Sequence, residues 1–150
     1  MILKDKINND LKAALLSGNR FKVEVLRGLK AVVLNEEVAQ NKRDEGLDDA
    51  IIEQLIAREV KKRNESANIY DGADRGELAV NERKEAEIML DYLPKQMTEA
   101  EIEVVVRRFM SELGVSSMAG MGQLIGAVKK ELGNTADGAL VAKIVKNALN

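Results

Sequence analysis

Glu82 and Glu85 are the acidic side chains whose spacing most clearly permits chemistry, because residues three apart on a helix lie on one face. With Leu78 and Met89 beside them, two neighbouring carboxylates could hold Mg²⁺ or act as a general acid and base. Four basic side chains on neighbouring predicted helices could instead pair with them, namely Arg27, Lys30, Arg58 and Arg63. No motif supplies a third acidic ligand. We therefore expect structural ion pairs here, with no metal, no cofactor and no catalytic residue.

A basic run is the second candidate. Four bases fall within two helical turns of one segment: Arg58, Lys61, Lys62 and Arg63. Such a cluster could neutralise phosphates along a duplex or a folded RNA. Glu59 lies four residues before Arg63, however, which is the spacing of an ion pair on a helix. We therefore favour a solvated surface of mixed charge over a nucleic-acid contact for this run.

Glycines punctuate the last part of the chain. Gly122 and Gly126 are one turn apart on a predicted helix, where they permit close helix packing, the interpretation we favour, or the approach of a partner's backbone. Gly133 is a third candidate for such an approach. The turn from Gly133 to Gly138 then points the first amides of the last helix outward, which suits either an anion site or an ordinary capped turn. The candidate RNA-contacting residues around this turn are Lys129, Lys130, Asn134, Thr135, Gly138 and Lys143.

The composition excludes several classes of function. Among 150 residues there is no His, Cys or Trp, so Cys/His zinc sites, Cys nucleophiles, Ser-His-Asp relays and disulfides are ruled out. Aromatic residues make up 3%, which disfavours recognition of single strands by base stacking. A net charge of −2 gives no overall attraction for a polyanion. The short apolar runs and the absence of a signal-peptide pattern predict no membrane contact and a cytoplasmic location.

The candidate residues must be positioned by helices. One proline in the whole chain, with abundant Ala, Leu, Glu and Lys, predicts an all-α fold. Apolar residues recur every three or four positions in about seven segments, the fourth of which runs from about Arg75 to Leu93. Pro94 therefore predicts a boundary between an N-terminal domain of four helices, residues 1–93, and a C-terminal domain of three helices, residues 94–150.

Several helix starts carry capping residues. Thr98 and Glu101 form a capping box, and Ile102 to Leu113 then present a buried face that ends at Gly114. Other side chains that can cap a helix are Asp48, Asp137 and either Ser116 or Ser117.

Motifs along the whole chain occur in a characteristic order. Those of the C-terminal part are Tyr92-Leu93-Pro94-Lys95-Gln96-Met97-Thr98-Glu99, Met121-Gly122-x-x-x-Gly126, and Gly133-x-x-Ala136-Asp137-Gly138 with Val141. Those of the first half are Arg27-Gly28-Leu29-Lys30-Ala31, the run from Arg58 to Ser66, and Glu82-x-x-Glu85. In this order and spacing they resemble the YqeY family, the stand-alone GatB/YqeY domain proteins.

The C-terminal part is similar to the tail domain of GatB, a subunit of the tRNA-dependent amidotransferase. That resemblance implies a helical tail that engages folded tRNA, together with an amidotransferase or an aminoacyl-tRNA synthetase as a partner. The family usually has Gly-Lys-Ala at the final turn, where this chain has Gly133-Asn134-Thr135-Ala136.

We therefore expect a non-catalytic module associated with tRNA or with an amidotransferase. One alternative is a carbon–nitrogen ligase that takes its amide nitrogen from glutamine. The lack of a Cys and of a Ser-x-x-Lys motif opposes this alternative. The other is a helical adaptor that binds another protein.

Overall fold

The computed structural model of this chain describes residues 2–150. Seven α-helices account for most of these residues and no β-strand occurs among them, which confirms the all-α fold class. In chain order the helices are α1 (Ile2–Ser17), α2 (Arg20–Ala39), α3 (Asp49–Gly72), α4 (Gly76–Leu90), α5 (Glu99–Leu113), α6 (Met121–Leu132) and α7 (Gly138–Leu149). Two short 3₁₀ turns, Met118–Gly120 and Gly133–Thr135, precede α6 and α7. Within residues 2–150 no helix combines the length and apolar character needed to cross a membrane.

The chain divides into two compact units, each with its own hydrophobic core. We call them the N-terminal unit (Met1–Leu93) and the C-terminal unit (Pro94–Asn150). The first contains α1 to α4 and the second α5 to α7. The assignment of separate domains, and of the second to a GatB-like tail, stays a prediction.

In the N-terminal unit α3 packs along α4 and α1 packs along α2, while α2 also contacts α3 and α4. Burying each large aliphatic side chain in such a core contributes about 1.5–3 kcal/mol. Large side chains buried almost completely in the helices of this core include Ile7 in α1, Leu26 and Leu29 in α2, Ile52 and Ile56 in α3, and Met89 in α4. Tyr92 packs against the same core, and its hydroxyl donates a hydrogen bond to Asp10 Oδ2 at 2.6 Å.

The buried face of α4 differs from the prediction. The helix ends at Leu90, earlier than the apolar pattern indicates, and Leu78 is 39% exposed. The buried positions are Ala79, Ala86 and Met89. Because two alanines allow the axis of α4 to approach a neighbour closely, the helix turns its alanine edge inward and leaves Leu78 at the surface. The prediction for Leu78 was wrong because the apolar pattern gave more weight to leucine than to alanine.

In the C-terminal unit α5, α6 and α7 pack against one another. The side chains without solvent exposure are Ile102, Val106, Leu124, Val128 and Val145. Leu113, which was predicted on the buried face of α5, is 38% exposed. The helix ends at this residue because Gly114 takes a left-handed conformation with φ of 67°, and the chain buries Val115 instead.

Helix starts follow the predicted caps in part. Thr98 Oγ1 accepts a hydrogen bond from the backbone N–H of Glu101 at 3.2 Å, as the capping box predicts. Asp48 and Asp137 occupy the cap positions of α3 and α7, but within the described chain their side chains make no capping hydrogen bond. The cap position of α6 is Gly120, because a 3₁₀ turn separates the helix from the two serines. Ser117 instead occupies the cap position of this 3₁₀ turn, which leads directly into α6, and among the described residues its side chain makes no capping hydrogen bond.

Candidate functional site

A strip of exposed backbone runs along α6. Gly122, Gly126 and Lys129 lie four and three residues apart, so they share one face of the helix, opposite the buried Leu124 and Val128. Both glycines are exposed, and a Cβ atom built on either would meet nothing within 4 Å. We call this face the glycine strip. Among residues 2–150 no helix packs closely on these glycines, so the interpretation that we favoured from the sequence was wrong.

The turn between α6 and α7 is held by one hydrogen bond within it and by two from the segment that precedes α5. Thr135 Oγ1 donates to the carbonyl of Leu132 at 2.6 Å, and the Thr135 carbonyl accepts from the backbone N–H of Met97 at 2.8 Å. The Asn134 carbonyl accepts from Gln96 Nε2 at 2.9 Å. Asn134 and Thr135, two of the candidate RNA-contacting residues, are half-buried and help to fix this turn. Their role in the structure is therefore first to position the start of α7.

The first turn of α7 presents amide groups next to a cation. Asp137 precedes the helix without capping it by its side chain, and the first N–H groups of a helix carry partial positive charge. Lys129 reaches over this end: a Cβ atom on Gly138 would lie 3.0 Å from Lys129 Cε and 3.1 Å from its Nζ. Gly133, with φ of 54° and ψ of −130°, makes the sharp change of direction that brings α6 and α7 together here.

Three lysines of the C-terminal unit have no acidic partner among the described residues. Lys129, Lys130 and Lys143 are exposed, and none forms an ion pair with another residue in the range 2–150. Three acidic side chains are instead paired with the two arginines of α5: Glu103 with Arg107, and Glu112 and Glu131 with Arg108. Positive charge therefore remains available on α6 and α7 although the chain as a whole is slightly acidic.

The basic run of α3 is partly engaged in the fold. Glu59 is nearly buried, and its carboxylate lies 3.2 Å from Lys62 Nζ and 3.1 Å from Arg63 Nη1. Arg63 Nε also lies 3.3 Å from Glu85 Oε2, so this guanidinium links α3 to α4. Two bases of the run are exposed without an ion pair to a described residue, Arg58 and Lys61. The predicted pairing of Glu59 with Arg63 is therefore found, but the pair is largely shielded from solvent and does not lie on a solvated surface.

Glu82 and Glu85 of α4 are half-buried side by side. Burial raises the pKa of the Glu85 carboxyl, and the neighbouring charge of Glu82 raises it further, while Arg63 opposes both effects. The Arg63 contact is one of the ion pairs that the sequence predicts. Among residues 2–150 no group of three or more acidic side chains is arranged to hold a metal ion.

Sequence reasoning missed a buried carboxylate on α2. Glu37 is 1% exposed, and Lys4 Nζ lies 3.0 Å from each of its carboxylate oxygens. The signal was present, because Glu37 continues the buried series of Leu29 and Val33 at a spacing of four. It was not recognised because its partner lies on another helix.

Comparison with known proteins gives two findings. Residues 4–149 match the model of a family described as Yqey-like protein. A curated relative is "Altered inheritance of mitochondria protein 41, mitochondrial" of Lachancea thermotolerans, which is 27% identical over 113 residues. The matched region is 74% of this chain and 59% of that protein, so the chain spans less than two thirds of the relative's length.

Proposed function

This chain belongs to the Yqey-like protein family, and on that premise we propose that it is a non-catalytic module that binds folded tRNA through its C-terminal unit. The binding surface consists of the glycine strip, the first turn of α7 and the three lysines around them.

The glycine strip is the observation that carries the proposal. A glycine in the middle of a helix costs about 1 kcal/mol relative to alanine. A Cβ atom at Gly126 would meet no described atom within 4 Å, so packing within the chain does not require a glycine at this position. A partner's sugar–phosphate backbone can approach such a surface more closely than it can approach any helix face covered with side chains. Contact with a bulky, folded partner therefore gives this glycine a role that packing within the chain does not.

The charge next to the strip suits a phosphate backbone. The end of the Lys129 side chain lies beside Gly138, the first residue of α7, so a phosphate at this helix start would be close to an ammonium group and to helix N–H groups. Lys130 and Lys143 add two further exposed charges on the same pair of helices. For about three phosphate contacts the logarithm of the binding constant should fall with the logarithm of salt concentration with a slope of about −2 to −3.

So few contacts give weak binding, and a partner protein would then add the rest. A tRNA-dependent amidotransferase or an aminoacyl-tRNA synthetase, which already holds tRNA, fits that role. The module then adds its contacts within a complex, where the effective concentration of the second site is high.

The proposal is tested by the fluorescence anisotropy of labelled, unfractionated tRNA at two salt concentrations, with the full chain as titrant. We expect salt-dependent binding that is at least tenfold weaker in the double variant Lys129→Glu, Lys130→Glu. The matched control reverses two exposed charges of the N-terminal unit, Lys12→Glu with Lys84→Glu, and should bind as the unmodified chain does.

A second pair of variants tests the strip without changing charge. Gly126→Leu places a side chain on the proposed surface, whereas Gly28→Leu does so at an equally open helix position in the N-terminal unit. We expect only Gly126→Leu to weaken binding. Equal binding by both variants, or binding that does not respond to salt, would contradict the proposal.

A further inference from the structure

A cavity lies between α1 and α2 in the N-terminal unit. Its volume is about 300 Å³, at the lower end of the range of small-molecule sites. Most of its walls are aliphatic, formed by Ile7, Ala31, Val33 and Leu34. A cavity with apolar walls and a few polar groups is typical of a site for a small organic ligand.

One wall of this cavity is formed by an ion pair whose charges compensate each other. Glu37 is almost completely buried there, and both of its carboxylate oxygens lie 3.0 Å from Lys4 Nζ. A buried carboxylate persists when such a partner compensates its charge. The pair therefore offers no net charge to a ligand.

Two other polar groups line the cavity, the Lys30 ammonium and the Asn8 side-chain oxygen, and neither has an ion-pair or hydrogen-bond partner among the described residues. Lys30 is exposed at the cavity and forms no ion pair in the part of the chain that the structure describes. Asn8 Oδ1 is buried and accepts no hydrogen bond from any described residue. Since an unpaired buried acceptor is costly, this oxygen favours a ligand that brings an N–H or O–H group.

We propose that this cavity binds a small monocarboxylate with an aliphatic body and a hydrogen-bond donor, as in an N-acylated aliphatic amino acid. The aliphatic body lies against Ala31 and Leu34, and the carboxylate pairs with Lys30. Because Asn8 Oδ1 is shielded from solvent in this structure, the Asn8 side chain turns toward the donor when the ligand binds. Net charge favours an anion over a cation, because the lining contains two ammonium groups and one carboxylate.

The test is an NMR titration of the full, isotope-labelled chain with N-acetyl-L-leucine as the probe. We expect saturable shifts of amides around the cavity with a Kd of about 1–5 mM, the affinity of a compact ligand of this size. N-acetyl-L-leucinamide, which lacks the charge, should bind at least tenfold more weakly. Hexanoate, which lacks the N–H donor, should also bind several-fold more weakly.

Two variants locate the site. Ala31→Leu fills the cavity from an exposed position of α2, where leucine is a good helix former, and should abolish binding. Its control is Ala39→Leu, exposed on the same helix but outside the cavity lining. Lys30→Glu should weaken binding at least tenfold, whereas Lys84→Glu on α4 should not.

The absence of saturable shifts would overturn the proposal, and so would unchanged binding by both Ala31→Leu and Lys30→Glu. Equal affinity for the amide probe would overturn the assignment of a carboxylate ligand. Equal affinity for hexanoate would overturn the role of Asn8.

Discussion

Replacing Gly126 with alanine should stabilise the C-terminal unit. Gly126 lies in the interior of α6, it is exposed, and a Cβ atom there would meet nothing within 4 Å. The added methyl group therefore creates no clash and removes the flexibility that glycine gives to the unfolded chain. The expected gain is about 1 kcal/mol, the difference between glycine and alanine in a helix interior. For a chain of this size the melting temperature should rise by about 2–4 °C.

Urea and thermal unfolding followed by circular dichroism at 222 nm measure this gain. Gly28→Ala is the matched control, because Gly28 is an exposed glycine inside α2 with the same open surroundings, and it should give a gain of similar size. A loss of stability in Gly126→Ala would refute the reasoning, because it would show that another surface covers the strip in solution. If Gly126→Ala gains stability and Gly126→Leu binds tRNA more weakly, then this glycine lowers the stability of the chain but is needed for binding.

Three further predictions follow from single contacts. Gly120→Ala should destabilise the C-terminal unit by about 1–3 kcal/mol in urea unfolding, because its Cβ atom would lie 2.6 Å from Val115 Cγ1, inside a packed region. Tyr92→Phe should cost about 1–2 kcal/mol in the same assay, because it removes the hydrogen bond to Asp10; an unchanged midpoint would contradict that role. Burial raises the pKa of the Glu85 carboxyl in the folded chain above its value in the unfolded chain. Because the unfolded chain then releases this proton more readily, the free energy of unfolding falls as the pH rises through the folded-state pKa. Glu85→Gln should reduce this fall in a series of melting curves between about pH 4 and 7, and an identical pH profile would contradict the assignment.

The sequence predicted those parts of the fold that depend on neighbouring residues. The end of α5 depends on the left-handed conformation that Gly114 adopts. The start of α5 depends on a hydrogen bond between Thr98 and Glu101, which are three residues apart. The buried edge of α4 was misassigned because it depends on how closely a second helix approaches, and this is not encoded in the period of large apolar residues. Ala79 and Ala86 face the core for that reason.

Some features of the candidate site likewise follow from neighbouring residues in sequence, whereas others depend on contacts between helices. The exposure of Gly126 and Lys129 follows from the period of α6 and could have been predicted, since both lie opposite its apolar residues. The sequence offered Arg63 as one of four possible partners for Glu82 and Glu85, but it could not select Arg63 among them, because the contact with Glu85 depends on how α3 packs along α4. The cavity at Glu37 also depends on a contact between residues 33 positions apart, Lys4 on α1 and Glu37 on α2. Pairings of this kind require the tertiary fold.

The distribution of charge in the C-terminal unit bears on what kind of RNA recognition is possible. Its two arginines, Arg107 and Arg108, are paired with carboxylates, and the exposed unpaired bases of α6 and α7 include Lys129 and Lys143. Guanidinium groups read base edges by paired hydrogen bonds, whereas an ammonium group acts as a point charge on a phosphate. Phosphate contacts set position and carry no sequence information. We therefore expect the isolated chain to bind different tRNAs with similar affinity, so that discrimination among them comes from a partner protein. A large preference for one tRNA in the same anisotropy assay would show instead that this unit reads bases directly.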